Sequence, residues 1–130
     1  MKVVVLACGN AVPDSEDFQA HLKQGGMQAQ VIAQPCSSKV ETYHLLRILA
    51  SGVDLVWVIG CAENACRLTE GSSRMGKRVQ HAQEYLSEIG LENERIGMSR
   101  LVPGDAAALS AILADIQTRA RALRPSPLAR

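Results

Sequence analysis

The sequence predicts an α/β fold of three layers, in which a four-stranded parallel sheet carries helices on both faces, and three observations lead there. Short β-branched runs alternate with longer amphipathic stretches in the order strand, helix, repeated along the whole chain. Glycine, proline and small polar residues stand between them, where turns belong. At 130 residues the chain is long enough to bury one core and too short for two, so residues 1–124 are assigned to a single domain.

The first strand is Lys2 to Ala7, stopping at Cys8-Gly9-Asn10. Pro13-Asp14-Ser15-Glu16-Asp17 supplies an N-cap and acids for the positive end of a helix, on which Phe18 and Leu22 share a face until Gly25-Gly26. Met27 to Ala33 reads as a second strand, ended by Gln34-Pro35-Cys36, and Ser38 with Glu41 forms a capping box. The next helix, Lys39 to about Ser51, aligns Leu45, Leu46 and Leu49 with Val53, and Gly52 stops it. Asp54 to Gly60 is a buried strand ending at Cys61. A long helix follows Cys66, with Met75, Val79, Ala82, Leu86 and Ile89 at three- and four-residue steps and Gly90 at its end. Arg95 to Leu101 reads as a fourth strand broken by Gly97. Pro103-Gly104-Asp105 then opens a last helix with Leu109, Ile112, Leu113, Ile116 and Leu123 on one face. The tail, 125–130, is expected to be unstructured.

Right-handed crossovers between such units give a flavodoxin-like strand order 2-1-3-4. That order places the first strand between the second and the third. Cys8, Cys36 and the Cys61/Cys66 pair, each at or just past a strand exit, then open on the same edge of the sheet, where folds of this kind bind ligands.

Composition narrows the function classes. A hydrophobic content of 47% with 21% charged residues is ordinary for a globular protein, and a formal net charge of +1 gives no global pull toward nucleic acid. No apolar run approaches the roughly 20 residues of a membrane span, so membrane insertion is not expected. The chain runs from Met1-Lys2 straight into a strand, which predicts a cytoplasmic location. Thiols are kept reduced there. Four cysteines are then ligands, redox groups or packing residues rather than structural disulfides.

Converging thiolates suit iron-sulfur clusters or zinc. Cys-x4-Cys occurs among iron-sulfur proteins, while the repeated C-x2-C of zinc ribbons is missing. Cysteine is also a good small core residue, a reading that fits poorly where Cys8, Cys36 and Cys66 lie among turn formers. A different chemistry is open to Cys61-Ala62-Glu63-Asn64-Ala65-Cys66-Arg67, which resembles the anion-cradling loop of low-molecular-weight phosphatases and arsenate reductases. There Cys61 would be the nucleophile and Arg67 the oxyanion clamp. Against it, Glu63 replaces a loop glycine, Leu68 replaces a serine, and the Asp-Pro acid of that family is absent.

Taken from Lys2 to about Leu123, the chain resembles the delta-type iron-sulfur subunit of methyl-viologen-reducing hydrogenase, MvhD or FlpD. This family is also found fused to flavoprotein components of heterodisulfide reductase. The resemblance rests on the strand ending at Cys8, the Cys36-Ser37 turn, and Asp54 through Cys61 to Cys66. It continues at Glu70-Gly71, Arg74, Lys77-Arg78-Val79, Gly90-Leu91-Glu92 and Glu94-Arg95.

The resemblance implies a [2Fe-2S] electron-transfer subunit, not catalytic alone. Electrons would pass between a hydrogenase or other dehydrogenase and a flavin-containing, heterodisulfide-reductase-like subunit. Cys8, Cys36, Cys61 and Cys66 stand at family cysteine positions and are the implied ligands. Ala11 occupies a place where the family commonly has another cysteine, and Arg67 one that is often histidine. Arg67 and the amide of Gly9 would offset the negative charge of such a cluster. Metal-free, the same fold would be an interaction domain.

Overall fold

Val3 to Ala7 are all buried, as expected of a strand covered on both faces, where apolar residues run continuously instead of alternating. In the computed structural model, which describes residues 2–8, 15–24, 28–34, 42–61, 71–101 and 106–123, this strand is β1 (Lys2–Cys8). After it come α1 (Ser15–Gln24), β2 (Gln28–Gln34), α2 (Thr42–Ala50) and β3 (Leu55–Cys61). Then follow α3 (Gly71–Glu88), a 3-10 turn at Asn93–Arg95, β4 (Ile96–Leu101) and α4 (Ala106–Ala122). The strands form one parallel sheet in the order β2-β1-β3-β4. The fold class and strand order are those the sequence predicts.

The period of two within β1 sorts its side chains between two cores. Val3, Val5 and Ala7 join Phe18 and Leu22 of α1 and Ile112, Ile116 and Ala120 of α4. Val4 and Leu6 join Leu45 and Leu49 of α2 and Val79, Ala82 and Leu86 of α3. Helices α1 and α4 therefore cover one face and α2 and α3 the other, which completes the three layers.

Several local expectations are refined. Gly52 and Gly90 have φ of 102° and 83°, the left-handed backbone that lets a chain leave a helix where a side chain would be strained. Ile89, assigned to the apolar stripe of α3, instead lies past the helix end and is 54% exposed. Its amide still donates to the Tyr85 carbonyl at 3.2 Å in the helical pattern, so the exposure belongs to the final turn and not to a loss of helical backbone. Gly97 does not break β4, which runs through it in register with Trp57. The glycine makes room, since any Cβ there would enter the Trp57 ring. The Ser38 capping box, the Pro103-Gly104-Asp105 helix start and the 125–130 tail lie outside the described residues.

At the amino edge of the sheet a polar cluster joins three strand starts. The Asp54 carboxylate accepts from the Lys2 amide at 2.8 Å, and the Asp54 amide donates to the Lys2 carbonyl at 2.9 Å. Arg95, only 1% exposed, donates through Nη1 to the Asp54 carbonyl at 3.1 Å and pairs through Nη2 with Glu92 at 2.6 Å. Burying a guanidinium is costly unless it is paired and hydrogen-bonded, and these contacts meet much of that requirement. Sequence reasoning did not single out this cluster.

Candidate metal centre

The opposite, carboxyl edge carries the thiols. In β1 and β3 the register ends at Ala7↔Ile59, and each strand runs on to a cysteine, Cys8 one residue past that pair and Cys61 two residues past it. On the flanks, Cys8 is in register with Gln34 of β2 and Cys61 with Leu101 of β4. All four strands thus finish within about a residue of one another, and two cysteines remote in sequence end adjacent strands.

Cys36, Cys66, Arg67 and Gly9 lie outside the described residues. Among the described residues no group of three or more His, Cys, Asp or Glu is placed to hold a metal ion. The donor chemistry of the two strand-end cysteines fits a soft-metal centre, since thiolate is the ligand that iron-sulfur clusters and zinc share. His21, His44 and His81 are exposed on helices, and none joins such a group among the described residues.

The surroundings of this edge are set by α3. Its early residue Gly76 lies against the Arg100 side chain near the end of β4, while Gln83 Nε2 donates to the Ile96 carbonyl at the start of β4, at 2.6 Å. The helix therefore runs antiparallel to the strands, and its amino end, the positive end of its dipole, is at the cysteine-bearing edge. Arg100 was not anticipated as a residue of this edge. Its register partner is Gly60, the residue before Cys61. The sequence signal was a second arginine in the stretch Arg95 to Leu101, near its carboxyl end.

Comparison with known proteins decides the family. The model for the methyl-viologen-reducing hydrogenase delta subunit, FlpD, matches residues 3–124. The chain belongs to this family. Among family relatives, the iron-sulfur subunit of the F420-non-reducing hydrogenase vhu of Methanopyrus kandleri is 30% identical over 96 residues, 74% of this chain and 73% of that protein. The iron-sulfur subunit of the F420-non-reducing hydrogenase of Archaeoglobus profundus is 25% identical over 124 residues, 95% of this chain and 90% of that protein. The FlpD-type sequence also resembles a piece of something larger. One subunit of the ferredoxin/F(420)H(2)-dependent CoB-CoM heterodisulfide reductase of Methanosarcina acetivorans is 34% identical over 67 residues, which are 52% of this chain and 8% of that protein. Among the described residues no helix is long and apolar enough to cross a membrane.

Proposed function

We propose that the chain is a non-catalytic electron carrier that holds one [2Fe-2S] cluster through Cys8, Cys36, Cys61 and Cys66. Its place would be between a hydrogenase or other dehydrogenase and a flavin-containing, heterodisulfide-reductase-like subunit, in the reducing cytoplasm. The observation that carries this reading is the pairing of β1 with β3, which ends two adjacent strands in cysteine at one edge. The relatives add support through their names, which are those of hydrogenase iron-sulfur subunits and of a heterodisulfide reductase component.

A cluster of this class, when bound, supplies one-electron transfer, and four thiolates are the ligand number it takes. The chain's own contribution is position and charge. Two rigid strand ends fix two of the sulfur-bearing residues, while Arg67, the Gly9 amide and the amino end of α3 offset the negative charge gathered there.

The test is iron and acid-labile sulfide content of protein purified under strict anaerobiosis. About two of each per chain, with a paramagnetic signal on one-electron reduction, is the expected result. Colourless protein that hydrolyses an aryl phosphate, and loses that activity on Cys61→Ser, would instead assign the Cys61 to Arg67 loop to phosphoryl chemistry. Protein with neither property that still binds a flavoprotein stably would be a metal-free interaction domain.

A further inference from the structure

The charged residue of β4 stands at the cysteine-bearing edge. Within Ile96–Leu101 it is Arg100, in register with Gly60, while Leu101 is in register with Cys61. Arg100 is therefore one strand across and one residue back from Cys61. Strand spacing and rise put the two Cα positions roughly 6 Å apart.

The guanidinium is held near that edge. A Cβ added at Gly76 would come within 2.6 Å of Arg100 Nη2, so the side chain crosses α3 where the helix has no side chain of its own. Gly76 lies in the amino-terminal half of α3, the half at the carboxyl edge of the sheet. Arg100 also makes a further interaction within the protein. A cation already fixed in place needs no reorganisation when charge develops beside it. The residue is exposed, however, so solvent and salt weaken its field.

We propose that Arg100 is a positioning residue of the proposed centre, and that its charge favours the reduced state and so raises the reduction potential. The inference rests on the proposed function and deepens it by naming a residue that sets the potential. Accepting one electron from the donor subunit adds one negative charge at this edge, and no bond is made or broken. A nearby fixed cation stabilises the more negative state. At a separation of about 12 Å and an effective dielectric constant of about 20, one unit charge changes such an equilibrium roughly tenfold. Screening at an exposed side chain reduces this to about threefold.

Its test is a redox titration of the full chain, purified anaerobically, with dithionite as reductant and the paramagnetic signal as readout, after iron and sulfide have been measured. In about 50 mM salt, Arg100→Gln with the parent's iron content should lower the ratio of reduced to oxidised centre at fixed potential about threefold, which is ~28 mV for a one-electron couple. Arg100→Met, an uncharged variant that keeps an apolar stem, should give the same shift and guards against a fault peculiar to glutamine. Arg100→Lys should restore most of the ratio. Arg47→Gln removes the same charge from an exposed position of α2, the helix that leads to the amino edge, and should change the ratio less than about 1.5-fold. An unchanged ratio in Arg100→Gln and Arg100→Met, or an equal shift in Arg47→Gln, would overturn the role of Arg100 while leaving the centre in place. A parent chain without iron would overturn the proposed function itself, and this inference with it.

Discussion

Trp57 shows how one side chain constrains residues far from it in sequence. It is buried in β3, its indole covers Gly97 of β4, and its Nε1 donates to Ser99 Oγ at 3.0 Å. The guanidinium of Arg119, from α4, lies 5.2 Å from the ring centroid, a cation-π arrangement. A core role for Trp57 was legible from the sequence, because it stands in a β-branched run. The need for glycine at position 97 was not, because it arises from a ring on the neighbouring strand. We predict that Gly97→Ala lowers stability by about 1–3 kcal/mol through overpacking, measured as a lower urea midpoint at unchanged m-value. A neutral result would mean that the indole moves aside freely.

At the scale of elements, the two edge strands share a device. Gln19 of α1 accepts through Oε1 from the Val31 amide of β2 at 2.8 Å, and Gln83 of α3 donates through Nε2 to the Ile96 carbonyl of β4. Each helix thus satisfies a backbone group on an edge strand, where unpaired groups invite pairing with another chain. Removing the Gln83 amide by Gln83→Ala is predicted to cost about 0.5–1.5 kcal/mol in chemical unfolding. Gln80→Ala, on the exposed side of the same helix, should stay within about 0.5 kcal/mol of the parent protein. The elements themselves were readable, because apolar periodicity is a local signal: Phe18 with Leu22, Leu45 with Leu49, and Val79 with Ala82 and Leu86 all face the cores. The edge caps were not. A glutamine reaching to another element leaves no periodic trace, and the same holds for Arg95 buried between Asp54 and Glu92 and for Arg100 lying on Gly76.

For the whole molecule, alternation and right-handed crossovers restrict the sheet to a few doubly wound orders, and in the flavodoxin-like one observed β1 lies between β2 and β3. That placement gathers chemistry at the carboxyl edge while the Lys2, Asp54 and Arg95 cluster fastens the amino edge. One end of the sheet is held by buried polar contacts, and the other ends two of its strands in cysteine. Iron content of four single variants, Cys8→Ser, Cys36→Ser, Cys61→Ser and Cys66→Ser, each purified anaerobically beside the parent chain, tests most directly whether one centre joins them. The account predicts that every variant falls well below the parent's roughly two irons per chain or shows an altered electron paramagnetic resonance signal, because one centre draws on all four sulfurs. A Cys8→Ser protein that keeps the parent's full iron content and an unchanged signal would contradict it.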